Sequence, residues 1–261
     1  GTSWFFVDPR MNKTLDYLFI DEAGQVALGT TIANATSADN LVLIGDQMQL
    51  SQPMRAKHEG YARMSSLDFI LEDDDTISID KGVFLNVTRR LNKKICNYIS
   101  TSFYDSRLTS DPITETRSVN LKLDPIKDEG LFYVPIDHNG CSQRSDEEAD
   151  LVEKVFNKIV NKEYKSENIT GKISAKDIMV VAPYNAQANN IRERLKKKFK
   201  DDVRVGTIDL FQGQEAKVVL ISMTTSDVES LPRHKDFFFS RNRLNVAISR
   251  AECVAIIIFN E

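Results

Sequence analysis

The chain has 261 residues, 41% of them hydrophobic and 28% charged, which exceeds one average domain and matches the balance of a globular protein. Its 34 Lys and Arg against 38 Asp and Glu give a formal net charge of -4, which excludes a generally basic nucleic-acid coat but not a locally basic groove. No apolar run reaches the length of a membrane span and no signal peptide opens the sequence. Cys96, Cys141 and Cys253, like His58, His138 and His234, lack paired spacing, so disulfides or structural zinc are not expected and a reducing cytoplasm is.

Residues 2–7 form a first short apolar run, read as a strand. Residues 15–20 form a second, which ends abruptly in Asp21 and Glu22. Such a run reads as a buried parallel strand, and open α/β sheets place ligands at the carboxyl ends of their strands. Any strand can end in a charged turn, so the acidic pair gains weight only in company. A short helix-like stretch leads to an apolar strand over residues 40–44, with Gly45-Asp46 at its exit and Gln49 three residues after the Asp. Around Glu72, Asp73, Asp74 and Asp75 the composition turns acidic, and Lys81-Gly82 follows. A domain boundary is placed there, giving domains 1–80 and 81–261.

Further along, Thr88-Arg89-Arg90 follows the apolar Leu85-Asn86-Val87. Residues 109–129, with Pro112 and Pro125, read as an irregular surface loop. A strand at 131–136 precedes Ser145-Asp146-Glu147-Glu148, which fits a capping box. The helix it opens repeats Leu151, Val152, Val155, Phe156, Ile159 and Val160 at helical spacing. Strands follow at 177–182, 203–208, 217–223 and 254–259. Arg192, Arg194, Lys196, Lys197, Lys198 and Lys200 lie opposite Ile191, Leu195 and Phe199, an amphipathic helix whose basic side reads as a solvated face. Phe237-Phe238-Phe239 reads as a buried anchor ahead of Arg241. The alternation of strands and helices implies a mainly parallel sheet with helices on both faces.

Four polar-loop and apolar-strand junctions, in this order, resemble the motifs of superfamily-one helicases. They are Asp21-Glu22, Gly45-Asp46 with Gln49, the stretch from Gly206-Thr207-Ile208-Asp209 to Gly213-Gln214-Glu215, and Arg241 through Arg250-Ala251. The matching branch includes the nonsense-mediated-decay helicase and the nuclease-helicases of Okazaki-fragment processing. Thr88-Arg89-Arg90-Leu91 is similar to the family's arginine-bearing motif, with Arg89 where an aromatic is usual and Leu91 where Met is. Pro183-Tyr184 with Gln187 resembles its Pro-Tyr, Gln segment, and the loop Met48-Gln49-Leu50-Ser51-Gln52-Pro53 departs from a usual double proline. The resemblance covers nearly the whole chain. It is nearest to bacterial proteins in which such a helicase half follows a RecB-like nuclease domain, and no nuclease domain is visible.

That resemblance implies an α/β fold of the RecA-like phosphate-loop NTPase kind, with a truncated first RecA-like domain over 1–80 and a complete second one over 81–261. It implies ATP and Mg²⁺ as ligands. Asp21 would hold the metal, directly or through water, and Glu22 would orient and deprotonate the lytic water. Gln49 would sense the γ-phosphate, Arg90 and Arg250 would act as arginine fingers, and Gly45, Asp46, Gly213 and Glu215 would line the nucleotide site. Pro183, Tyr184, Gln187, Thr207 and Asp209 would contact a single strand, DNA in preference to RNA. Domain closure on ATP would drive 5′ to 3′ movement by a monomer. The family's G-x-x-x-x-G-K-[ST] loop is missing. The glycine-spaced stretch from Gly24 to Thr31 has Thr30 where its Lys belongs and follows the acidic strand, so it reads as coincidence. The sequence therefore reads as the C-terminal part of a helicase whose N-terminal helicase and nuclease segments lie elsewhere. The rival readings are a helicase-like module that binds nucleic acid or protein without hydrolysis, and an ATPase switch acting on proteins.

Overall fold

The computed structural model describes residues 1–50, 60–72, 74–167, 169–226 and 240–261. The expectations for Ser51, Gln52, Pro53, His58, Asp73, His234 and the phenylalanines 237–239 lie outside the described residues. The chain divides into two compact units, Gly1–Phe84 and Leu85–Glu261.

In the first unit β1 (Leu15–Ile20) pairs in parallel with β2 (Ala38–Leu43), from Leu15 opposite Ala38 to Ile20 opposite Leu43. Helix α2 (Leu28–Ala35) makes the crossover that a parallel pair requires. Along β1 the side chains alternate. Leu18 and Ile20 are buried with Ala23, Leu67 and Leu71, whereas Tyr17 and Phe19 are exposed. Leu67 and Leu71 come from α3 (Ser66–Leu71), which begins with a reciprocal capping box between Ser65 and Asp68.

The apolar run at 2–7 is a correction, because it folds as the short helix α1 (Ser3–Phe6) and not as a strand. The Phe5 N–H donates to the Thr2 carbonyl at 2.9 Å and the Val7 N–H to the Ser3 carbonyl at 3.1 Å, so the backbone closes on itself. Only Phe6 packs on the small core, and Trp4 is 86% exposed. So short an apolar run carries no period that separates helix from strand.

The second unit is built on a five-stranded sheet. Its order is β10 (Arg204–Gly206), β9 (Ile178–Val181), β11 (Ala216–Ser222), β12 (Ala251–Phe259), β6 (Gly130–Pro135), with every pairing parallel. Central parallel strands are covered on both faces, which explains their unbroken apolar sequences. Val180, Val218, Leu220, Val254, Ile256 and Ile258 face a core shared with α5 (Asp146–Ile159) and α6 (Asn185–Phe199). On the opposite face lie α4 (Lys93–Phe103) and α7 (Arg241–Ser249). Cys96 and Cys253 are buried here, and burial pushes their thiols up to about 11 and about 12, so they serve as small packing residues.

The surface loop expected at 109–129 is a second correction. Thr109–Ser110 forms β4, paired in parallel with β3 (Val87–Thr88). Ser118–Val119 forms β5, which joins β7 (Glu163–Ser166) and β8 (Ile169–Lys172) in an antiparallel sheet. Val119 and Leu121 are fully buried in the main core. The prolines misled because each sits where its missing N–H costs nothing: Pro112 opens a 3-10 turn, and Pro125 lies between the bridge partners Leu123 and Ile126.

The basic run on α6 is largely spent on the fold. Arg194 pairs with Asp146 and Asp150, Lys196 with Asp201, and Arg192 donates to the Val205 carbonyl. Among the described residues no helix is long and apolar enough to cross a membrane.

Candidate functional site

Three groups of expected residues fall at three strand ends. The first lies at the carboxyl ends of β1 and β2, which the parallel pairing places side by side. Asp21 and Glu22 leave β1, and Gly45 and Asp46 leave β2. The Ile44 N–H donates to the Ile20 carbonyl and the Ala23 N–H to the Ile44 carbonyl, both at 2.8 Å, which zips the two exits together. The approach leaves no room for side chains at two glycines. A Cβ on Gly45 would lie 2.7 Å from the Ala23 nitrogen, and one on Gly24 would lie 2.8 Å from the Asp46 carbonyl oxygen.

This packing delivers acids to one edge. Glu22 adopts the left-handed region, φ 54 and ψ 39, and its N–H donates to Asp21 Oδ1 at 2.9 Å. Both side chains are exposed. Asp46 accepts from the Met48 N–H through Oδ1 and from Gln49 Nε2 through Oδ2, each at 2.9 Å. Gln49 is therefore oriented by Asp46, which ties the expected γ-phosphate sensor to the exit of β2. No group of three or more His, Cys, Asp or Glu side chains arranged to hold a metal occurs among the described residues. An exposed Asp21 carboxylate instead fits Mg²⁺, a hard ion that commonly takes one or two carboxylates and completes its shell with phosphate and water.

The second group lies at the amino ends of β11 and β12. The loop Gly213-Gln214-Glu215 enters β11, and Arg250 immediately precedes β12. Gly213 has φ 72, the left-handed conformation that glycine adopts readily, and nothing lies within 4 Å of where a Cβ would stand. Arg90 Nε donates to Glu215 Oε2 at 2.9 Å, and Arg250 Nη1 donates to the Gln214 carbonyl at 3.2 Å. Arg89 points elsewhere, to Asp111 at 3.4 Å.

Arg250 is 2% exposed, with Nε donating to the Val246 carbonyl at 3.2 Å. Its guanidinium is a structural tie in this conformation, because the strand-entry backbone needs donors at that point. Arg204 was missed by sequence reasoning. It donates to the Glu215 carbonyl and to Gln214 Oε1, each at 3.0 Å, and no motif spacing marks it. Burial pushes the Arg204 guanidinium down from its ordinary value.

The third group lies at the carboxyl ends of β9 and β10, across the sheet from the second. The length of β11 sets that separation at roughly 20 Å. Pro183 and Tyr184 leave β9, and Thr207 leaves β10 as the extended residue before a 3-10 turn. Asp209 is exposed and accepts from Arg243 Nη1 at 3.0 Å. Pro183, Ile208, Met223 and Leu244 help line a small apolar crevice with Arg243 on its wall. Burial pushes the Tyr184 pKa up from its ordinary value.

Gln187 does not join this group. It is fully buried, Oε1 accepts from the Ser145 N–H at 2.9 Å, and Nε2 donates to the Ser145 carbonyl at 3.1 Å and to Ser222 Oγ at 3.0 Å. Its amide is satisfied inside the fold, so a strand contact through it is corrected. The capping box at Ser145 is also half right. Ser145 Oγ accepts from the Glu148 N–H at 3.0 Å, but the Glu148 carboxylate turns inward to His138 and does not reach back to the Ser145 N–H.

A family model described as an AAA domain matches residues 69–261. The chain is 30% identical over 250 residues to the DNA polymerase alpha-associated DNA helicase A of Schizosaccharomyces pombe, covering 91% of this chain and 36% of that protein. It is 29% identical over 257 residues to Helicase sen1 of the same yeast, covering 93% of this chain and 14% of that protein. The chain thus spans 36% or less of the length of these relatives. A solved complex of Arterivirus nonstructural protein 10 (helicase) with DNA aligns over 95% of this chain and 41% of that chain, at 16% identity and a TM-score of 0.46.

Proposed function

The chain belongs to the AAA-domain family, among the superfamily-one helicases, and its fold is the RecA-like α/β fold expected from sequence; we propose that the full-length protein hydrolyses ATP to move along a single strand. One observation carries this reading. Oxygen ligands gather at the strand exits of the first unit, and the second unit holds the Arg90 guanidinium beside Glu215 at the entry to β11. Phosphoryl transfer depends mostly on positioning and electrostatics, and these are the two kinds of group it uses.

In this reading Asp21 holds Mg²⁺, which when bound neutralises charge on the β- and γ-phosphates. Glu22 orients the lytic water and takes its proton; its exposure and its single long contact, Gln25 Nε2 at 3.4 Å, leave the carboxylate available. Gln49, oriented by Asp46, reports the γ-phosphate. Arg90 exchanges its Glu215 partner for phosphate oxygens, and the freed Glu215 and open Gly213 meet the ribose and phosphates. The strand lies at the far end of the second unit's sheet, on Pro183, Tyr184, Thr207 and Asp209. We take that strand to be DNA, the direction to be 5′ to 3′, and the protein to be a cytoplasmic monomer.

ATP turnover by the full-length protein, measured by phosphate release with and without single-stranded DNA, tests the proposal. Stimulation by DNA is expected. Turnover indifferent to nucleic acid favours an ATPase switch, and no turnover favours a non-hydrolysing module. The 261-residue chain by itself is expected to hydrolyse ATP negligibly, because no Lys-bearing phosphate loop occurs in it. Its single-strand binding should be weak and fall steeply with salt, since phosphate contacts release counterions. Anisotropy across a salt series checks this, and tight binding that ignores salt would contradict it.

A further inference from the structure

Arg90, the finger of the reading above, stands on a short connection whose two ends are fixed. Before it, the Asp111 N–H donates to the Thr88 carbonyl at 2.9 Å, continuing the β3–β4 pairing. After it, Asn92 is fully buried, with its N–H donating to the Glu252 carbonyl at 3.3 Å and its Nδ2 to the Cys253 carbonyl at 2.7 Å. Asn92 Oδ1 also accepts from the Ile95 N–H at 3.0 Å, which caps α4. A residue has two soft backbone dihedrals, and these set where its side chain starts out. At Arg90 the groups on either side of both dihedrals are held by side chains. The Arg90 N–H donates to Thr88 Oγ1 at 3.3 Å, and the Arg90 carbonyl accepts from Arg117 Nη1 at 2.8 Å. The Arg90 guanidinium pairs separately, with Glu215.

Arg117 lies at the turn that leads into β5, and its side chain is only 16% exposed. Its own N–H donates to the Thr114 carbonyl at 3.1 Å. Nη1 also stands 3.9 Å from Glu252 Oε2, on β12. Burial pushes the Glu252 carboxyl up from its ordinary value and Glu215 adds to this, whereas Arg117 and Lys217 act in the opposite direction. Arg117 thus offers a charge to β12 and a donor to Arg90. Its Nε is buried with no partner, which is uncommon in a native fold and is explained by a task other than stability.

We propose that Arg117 is a positioning residue for ATP hydrolysis, holding the Arg90 carbonyl so that the Arg90 side chain starts in the direction a finger needs. The inference rests on the reading of Arg90 as a finger. Glu252 completes the arrangement by holding Arg117 against β12. A charged donor suits the task, because its hydrogen bond is stronger than that of a neutral one.

The test is ATP hydrolysis by the full-length protein, with kcat and KM measured in the wild-type and Arg90→Ala backgrounds. Arg117→Met keeps an unbranched stem and removes the donor. It is expected to lower kcat on the order of tenfold, the scale of a small misplacement of a contact group, with KM within about twofold of wild type. In the Arg90→Ala background the same change should cost less than about twofold, because no guanidinium is left to aim. Harm to the fold alone would give equal losses in both backgrounds. Arg117→Lys keeps a charge beside Glu252, but its ammonium stops short of the Nη1 position. It should repeat the pattern with a smaller loss, on the order of threefold, and it serves if Arg117→Met fails to fold. Equal losses in the two backgrounds, or no loss from either variant, would overturn the inference alone. Hydrolysis by Arg90→Ala at the wild-type rate would remove the finger reading, and this inference with it.

Discussion

Glu22→Gln in the full-length protein is expected to lower ATP turnover by roughly a thousandfold, within the range for losing a positioned general base. Nucleotide binding should survive, because the change removes the proton acceptor and leaves Asp21 to hold the metal. The melting temperature should barely move. Glu22 is exposed, its N–H bond to Asp21 is made by the backbone, and its side chain has one partner at 3.4 Å. Turnover, nucleotide affinity and melting curves measured on the same preparation check all three. A variant that hydrolyses ATP within tenfold of wild type would remove Glu22 from the chemistry.

Arg90→Ala and Arg250→Ala should part company, although the family motifs place both as fingers. Arg90 is held only by a half-exposed pair with Glu215, of a kind that contributes little to stability. Its loss is expected to lower kcat by roughly a hundredfold or more, with melting unchanged. Arg250 is buried and donates to the Val246 and Gln214 carbonyls. Truncating it strips both acceptors of a charged donor, which should cost roughly 2–4 kcal/mol. Melting should then fall by roughly 5–15 °C for a unit of this size. Lys at position 90 should rescue poorly, since a point charge does not reproduce the guanidinium fork. Single-turnover hydrolysis and melting curves separate the cases. If Arg250→Ala melts like wild type and hydrolyses a hundredfold slower, the buried arginine is a finger after all and the structural reading of it fails.

The parts of the fold legible in the sequence were those with a single physical cause. Residues 178–181 and 254–258 are apolar without interruption because helices cover both faces of those strands. The acids at the exits of β1 and β2 were legible for a similar reason, since strand and carboxylate adjoin in the chain. What stayed hidden depended on side-chain direction. Glu148 has the spacing of a capping residue, and that spacing is the same whether the carboxylate turns back to the Ser145 N–H or inward to His138. Gln187 likewise sits one turn into a helix that follows a polar loop, and only the position of Ser145 and Ser222 shows that its amide is spent. Arg204 reaches Gln214 and Glu215 from β10, across the intervening β9, a proximity created by the fold and invisible in spacing. Val119 and Leu121 were masked by the prolines and charges around them, although both point into the main core.

Strand displacement by the full-length protein tests the central claim most directly. The substrate is a partial DNA duplex carrying either a 5′ or a 3′ single-stranded tail, with ATP and Mg²⁺ supplied. The account predicts ATP-dependent release of the shorter strand from the 5′-tailed duplex, little from the 3′-tailed one, and none with Glu22→Gln. ATP turnover at an ordinary rate with no displacement of either duplex, and no response to single strands, would contradict it.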